Sequence, residues 1–413
     1  MIIKARYIVP IDGPVIENGA VSFENERVTG VGPSHRRTER TSVDYGDAVI
    51  CPGFVNAHTH LELSLLAGKV PPGPDFIDWL HRLLAARRNE LTTEQVTAAA
   101  MRTGIEQSLA AGTTCVGDIT TAPERTRPIL AESPLSGISY GEVIAIGNLR
   151  GRLTERLEAC MSLPFDSQRL RAGISPHAPY TVEPHALRAC AQRAQQFNMP
   201  LCIHLLESDD ERQFTRQAGG RFAQFLRDIG VWDDAVPMSD CEPVELALRT
   251  GVLGSSTVIA HANYVTASDM QCIARSGATV AYCPRTHHAF GHPPHRVRAL
   301  LGLGINVCLG TDSLASNPTL SILDEMRFVR HHDRDLSSDQ ILRMGTINGA
   351  RGLGLTDETG SITLGKRADL VVVPLETAAG APDWESILET SAQPLAVYGG
   401  GEMVLPSQQV RRQ

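Results

Sequence analysis

Residues 53–60 read GFVNAHTH, an apolar run that opens on Pro52-Gly53 and stops on His58 and His60. A short continuous apolar run bounded by turn residues is expected of a strand covered on both faces. Similar runs recur along the chain: TTCVGD (113–118), GISYGEV (137–143), LRAGIS (170–175), PLCIH (200–204), STVIA (256–260), ATVAY (278–282) and INVCLG (305–310). Helix-like segments lie between most of them, at 75–88, 92–111, 183–198, 266–276 and 318–332. Thr92 or Thr93 can cap the second of these, and Gly112 closes it. Eight strands alternating with helices predict a (β/α)8 barrel over residues 53–356. A doubly wound sheet is the alternative, but no G-x-G-x-x-G opens a βα unit.

The two ends read differently. Residues 7–32 (YIVPIDGPVIENGAVSFENERVTGVG) and the segment beginning TGSITLGKRADLVVV at 359 alternate apolar and polar residues around Gly and Asp turns. Neither end is long enough to fold alone, so 1–52 and 357–413 are expected to pair into one small composite β-sandwich.

Composition sets limits on function. With 42% hydrophobic and 20% charged residues, the chain has the balance of a globular protein rather than a disordered one. A net charge of −8 argues against nucleic acid or an anionic membrane surface as a partner. No apolar run approaches a membrane span, and the start lacks the pattern of a signal peptide, so a cytoplasmic location is the default expectation. The nine cysteines include no C-x-x-C pair and mostly sit in apolar stretches, as buried thiols do. A small-molecule substrate is expected, and a homodimer is compatible with the sequence.

Barrel chemistry resides at the C-terminal ends of the strands. Here His58 and His60 close the first strand, His177 the fourth, His204 the fifth, His261 the sixth and Asp312 the eighth. Period-2 spacing lets His58 and His60 reach one ion. Taken singly, each has an ordinary explanation: surface histidines, or a core histidine bonded to backbone. Together on five strand ends they point to one centre. Three imidazoles and a carboxylate suit Zn²⁺, or less often Fe²⁺, with a position left for water. Glu207, three residues past His204, can shuttle protons or serve as the first-turn acid of the next helix.

These segments, with HAPYTV, IHLLES, LGTDSLASN, TINGARGLG and GSITLGKRADLVVV in this order, resemble the amidohydrolase superfamily, in particular its mononuclear-metal deaminases. The resemblance implies that His58, His60, His204 and Asp312 hold one divalent metal. It implies that Glu207, His261 and Asp312 handle protons and that His177 contacts substrate. Binuclear members use a carboxylated lysine at the fourth strand. The only lysines here are Lys4, Lys69 and Lys366, so that ligand is absent.

HTHLELS followed by PDFIDWL is similar to the aminodeoxyfutalosine deaminases, which act on an adenosine-like nucleoside. That likeness makes Glu62 a candidate substrate contact, or else a loop acid. Trp79 lines the pocket or packs its helix. Arg150 meets an anionic substrate tail or is exposed to solvent. Where the group has asparagine after C-P-[RV]-[ST], this chain has His287, so the pocket there is built differently.

The expected reaction is hydrolytic release of ammonia from an aminopurine nucleoside by metal-activated water. Hydrolysis of another ring or amide is the enzymatic rival, and a non-catalytic ligand-binding barrel the rival of another class. A cytidine-deaminase reading of His60-Leu61-Glu62 fails for want of P-C-x-x-C.

Overall fold

Sixteen strands form two sheets in the structure, a computed structural model that describes residues 1–34, 42–162, 169–375 and 383–405. The first five are β1 (Ile2–Ile8), β2 (Ile16–Glu24), β3 (Arg27–Pro33), β4 (Ser42–Asp44) and β5 (Ala48–Pro52). The middle eight are β6 (Phe54–Thr59), β7 (Thr113–Thr120), β8 (Ser136–Val143), β9 (Leu170–Pro176), β10 (Leu201–Leu205), β11 (Thr257–His261), β12 (Thr279–Tyr282) and β13 (Val307–Leu309). The last three are β14 (Leu370–Pro374), β15 (Ala396–Gly399) and β16 (Glu402–Leu405).

The middle strands pair in chain order, all parallel, from β6 to β13. A bridge between Thr59 and Asp312 joins the last strand back to the first, so the ring is nearly closed and the fold is a TIM-like (β/α)8 barrel. Its interior is filled by side chains such as Ile138, Tyr140, Cys202 and Cys308, with Ala350 and Leu353 against them. A packed interior leaves only the strand ends free to build a site. The predicted helices are present: Phe76–Glu90, Glu94–Ala110 with Thr93 accepting from the Val96 amide, Pro184–Phe197, Ala267–Ser276 and Ile322–His332. No helix among the described residues is long and apolar enough to cross a membrane.

The chain ends join in the second sheet, in the order β16-β15-β14-β5-β1-β2-β3, with β4 on β1. Phe23 on β2 and Tyr398 on β15 are four strands apart, which on a flat sheet is about 19 Å. Their ring centroids are 5.5 Å apart. The sheet therefore rolls over so that its two halves face each other, which is how one continuous sheet makes the expected sandwich. Period-2 alternation assigns its faces: Ile50, Leu370 and Val372 join the sandwich core, while Val49, Cys51, Val371 and Val373 join the cluster around the barrel. Residues 376–382 and 406–413 of the expected 357–413 segment lie outside the described residues.

Candidate active site

Local irregularity at the strand ends aims the functional side chains. Val55 and Ala57 of β6 belong to the barrel interior, yet the pairing with β7 slips between Asn56 and Thr59. His58, one residue beyond Ala57, consequently also turns inward, with Nδ1 3.9 Å from the interior Cys202 Sγ. Gly310 permits this approach, since a Cβ there would lie 2.9 Å from the His58 carbonyl oxygen. At three other strand ends the backbone turns left-handed on non-glycine residues: Leu206 (φ 52°), His261 (φ 75°) and Asp312 (φ 58°). Such geometry costs about 1–3 kcal/mol per residue and persists only where neighbours enforce it. The enforcing bonds are Leu206 N to Glu211 Oε2 (2.8 Å), His295 Nε2 to the His261 carbonyl (3.0 Å) and Asp312 N to the His58 carbonyl (3.1 Å).

Five side chains converge as a result. The ligand atoms of His58, His60 and His204 lie within 4.8 Å of one another, as do those of His58, His261 and Asp312. Asp312 Oδ1 is 3.5 Å from His60 Nε2 and 3.8 Å from His58 Nε2. His204 donates from Nδ1 to the His177 carbonyl at 3.0 Å, which leaves its Nε2 a lone pair. That nitrogen is only 3.3 Å from His60 Nε2. Burial, and then the neighbouring imidazoles, holds His58, His60 and His261 well below the usual histidine range, and His204 is lowered to about 4. Neutral imidazoles crowd their lone pairs together here, and buried His58 Nε2 has no hydrogen-bond partner among the described residues. Without a cation this arrangement is repulsive. The donor set fits a divalent metal, with His204 already oriented through its second nitrogen as metal-bound histidines are.

Glu207 stands beside this cluster, Oε1 3.5 Å from His261 Nε2. Burial, and then the charges of Asp312 and Glu211, raises it well above the usual carboxylate range. Its backbone is fixed by Glu211, whose carboxylate accepts from the amides of Leu206, Glu207 (2.7 Å) and Ser208. Asp312 is raised to about 6 by burial, opposed by a 2.6 Å bond from Ser316 Oγ to Oδ2.

Above the cluster is a cavity of about 280 Å³. His60, His177, His204, Glu207, His261 and Asp312 form its polar end. Its walls are mostly apolar, including Leu63, Phe76, Trp79, Ile146, Tyr180 and Phe225. Trp79 both lines the cavity and packs its helix: Nε1 donates to the Val70 carbonyl at 2.9 Å, and the ring meets Phe290 edge-on at 5.0 Å. His177 lines it too, with Nδ1 2.7 Å from Thr181 Oγ1.

Three expected substrate contacts are placed elsewhere. The turn Leu61–Leu66 carries Glu62 toward the end of β7, where its carboxylate accepts from Thr120 Oγ1 (2.8 Å), Thr121 Oγ1 (2.7 Å), Thr121 N and Arg87 Nη2 (3.1 Å). Those bonds occupy its acceptors, so Glu62 braces the wall from behind. Arg150 is half-buried at 33% side-chain exposure, and it is not free for an anion, because Glu183 and Asp233 hold its guanidinium at both faces of the fork. His287 has both nitrogens engaged, with Asn263 Oδ1 (3.0 Å) and the Pro293 carbonyl (2.9 Å). Asn263 in turn donates to the Glu207 carbonyl at 3.1 Å, so His287 reaches the site only through it. Among the cavity residues that the sequence reading did not single out are Arg87 and Glu142. Glu142 had a signal, since it is an acid near the end of an apolar strand, as Asp312 is. Arg87 had none on its helix.

A model of the amidohydrolase family matches residues 49–404. The chain belongs to this family. It is similar to a 5-methylthioadenosine/S-adenosylhomocysteine deaminase of Thermococcus onnurineus, at 30% identity over 90% of this chain and 85% of that one. Among solved structures it resembles an adenosine deaminase from Xanthomonas campestris with bound zinc (25% identity, 98% and 93% covered, TM-score 0.81). It also shares the fold of the Helicobacter pylori aminofutalosine deaminase in complex with methylthio-coformycin (24% identity, 98% and 100% covered, TM-score 0.86). Amidohydrolases are metal-dependent, and the histidine and aspartate clusters fit a metal site. Membership and the deaminase names of its relatives mark this amidohydrolase as a hydrolase of carbon–nitrogen bonds.

Proposed function

We propose that the protein deaminates a purine nucleoside of the adenosine type, with one divalent ion, Zn²⁺ by preference, held by His58, His60, His204 and Asp312. The observation that carries this reading is the partnerless buried Nε2 of His58, set among facing imidazole lone pairs at the end of a ring-sized, mostly apolar cavity. The relatives' names, the deaminases above, supply the substrate class. A bound cation supplies Lewis acidity and brings the pKa of a water to about 7.

The chain's own residues do the rest. Glu207, protonated in its buried setting, delivers a proton to the ring nitrogen beside the amino-bearing carbon. As the water oxygen bonds to the amino-bearing carbon, His261, neutral and facing Glu207, takes up one water proton with Asp312 alongside and passes it to the amino group; the carbon–nitrogen bond then breaks, ammonia leaves, and the remaining hydroxyl proton returns to Glu207. His177 and Trp79 hold the substrate, and the apolar wall keeps bulk water from the reacting carbon. Steady-state ammonia release from adenine, adenosine, methylthioadenosine, S-adenosylhomocysteine and aminodeoxyfutalosine tests the reading. Turnover of one or more nucleosides well above free adenine is the expected result. No ammonia from any of them overturns it and favours hydrolysis of another ring or amide.

A further inference from the structure

Glu142 is the one cavity carboxylate that the expected machinery does not use. Its side chain is 6% exposed, and among the described residues no protein group hydrogen-bonds to its carboxylate. His177 Nε2 lies 4.0 Å from its Oε1. His177 Nδ1 pairs with Thr181 Oγ1 at 2.7 Å, so Nε2 is the nitrogen turned toward Glu142. The Glu142 carboxylate therefore meets this stretch of cavity with its acceptors unpaired. A buried carboxylate left in this state costs free energy that a ligand's donors would recover.

His204 lies close to both groups, and the three have ligand atoms within 4.8 Å of one another. A second cation is nonetheless poorly served there. His204 Nδ1 is bonded to the His177 carbonyl and its Nε2 faces His60, so His204 has no atom left to offer. Arg87 lines the same cavity, but it is turned to Glu62 and Thr121 rather than to Glu142. What the Glu142 carboxylate lacks is O–H or N–H donors, and the wall around it is largely apolar.

We propose that Glu142, with His177, forms the subsite that receives the sugar hydroxyls of the substrate. This rests on the nucleoside reading above, and adds to it the part of the nucleoside that is read and the residue that reads it. A carboxylate takes two hydroxyl donors side by side, as the vicinal diol of a ribose presents them, and His177 Nε2 can share one. An ether or a deoxy position at the same place leaves the carboxylate unpaired, so the subsite selects ribonucleosides.

The test is kcat/KM for adenosine, 2′-deoxyadenosine and 3′-deoxyadenosine with the unaltered enzyme, Glu142→Gln and Glu142→Ala. Metal content and Tm of each variant establish that it is folded and loaded. The unaltered enzyme should prefer adenosine to at least one deoxy analogue by about 10- to 100-fold, the range for a hydrogen bond to a charged group. Glu142→Ala should bring that ratio to within about threefold by slowing adenosine alone. Glu142→Gln, which keeps the shape and one neutral acceptor, should fall between. An unaltered enzyme without the preference, or variants that retain it, overturn the assignment while leaving deamination intact. An enzyme that turns over no nucleoside overturns both this subsite and the reading on which it rests.

Discussion

Nε2 of His261 faces Oε1 of Glu207 across 3.5 Å, and neither side chain has a hydrogen bond among the described residues. Burial drives the two in opposite directions: the carboxyl is raised and the imidazole lowered. Both shifts favour a proton on Glu207 and a neutral His261, which sets an acid beside a base. Two titratable groups pushed apart by their surroundings are the usual way one site runs both halves of a proton transfer.

Glu207→Gln tests that division. The amide keeps the volume and the packing against His261 but has no proton to deliver to a ring nitrogen. General acid help is typically worth about 10²–10⁴-fold, so kcat should fall at least about a hundredfold while bound metal stays unchanged. Near-normal turnover would reduce Glu207 to a first-turn acid.

Glu62 gives a different outcome from the one its position in the sequence suggests. It braces Thr120, Thr121 and Arg87 behind the cavity wall. Removing it leaves a partly buried guanidinium and several donors without an acceptor. Glu62→Ala should therefore cost about 2–3 kcal/mol in urea unfolding, with KM for different nucleosides changed alike. A substitution that leaves the urea midpoint unmoved and alters only substrate preference would restore Glu62 as a substrate contact.

The contrast between Glu62 and His204 shows what a single chain makes legible. His204 ends an apolar run, and strand parity with the barrel rule is enough to aim it at the mouth. All eight strand segments and the ends that carry His58, His177, His261 and Asp312 follow from the same alternation. Glu62 lies one turn past the strand end, in the turn Leu61–Leu66, where direction depends on which neighbour supplies donors. Arg150 and His287 failed for the same reason. Their partners Glu183, Asp233 and Asn263 are distant in sequence or in another loop, and nothing in local patterning pairs them. His295, which bonds the strained His261 carbonyl, comes from a loop whose path only the fold reveals.

Glu325 supplies a pH-dependent stability prediction one layer behind the site. It accepts from Asn317 Nδ2 at 2.7 Å and from the Arg285 amide at 3.0 Å, and Asn317 also donates to the Thr311 carbonyl next to Asp312. Burial, opposed by these bonds, pushes its carboxyl up to about 8 from an ordinary 4.5. Between those values the folded chain holds a proton that the unfolded chain has released. Its contribution is thus fully present below about pH 4.5 and is lost as pH rises toward 8, at up to about 1.4 kcal/mol per unit. Glu325→Gln removes this titration. Urea midpoints measured from pH 5 to 8 should show a flatter decline in the variant than in the unaltered protein. Parallel curves would mean that Glu325 is ionised throughout.

The metal centre gives the last prediction. His60 Nε2 and His204 Nε2 at 3.3 Å, with the latter's proton held on Nδ1, set two lone pairs against each other beside the partnerless His58 Nε2. A cation relieves all three, so it should bind the folded chain and stabilise it. At a hundredfold excess over Kd that stabilisation is about 2.7 kcal/mol. Chelation should therefore abolish activity and lower Tm together, and Zn²⁺ should restore both. Because the ligands must be deprotonated to bind, the metal should be released on acidification as imidazoles gain protons. Single substitutions of His58, His60, His204 or Asp312 by alanine should each lower metal content and remove most activity. Elemental analysis should find one ion per chain, since no lysine lies between Lys69 and Lys366 to bridge a second. Two tightly bound ions would contradict the single centre. Full activity after exhaustive chelation would contradict a metal role altogether.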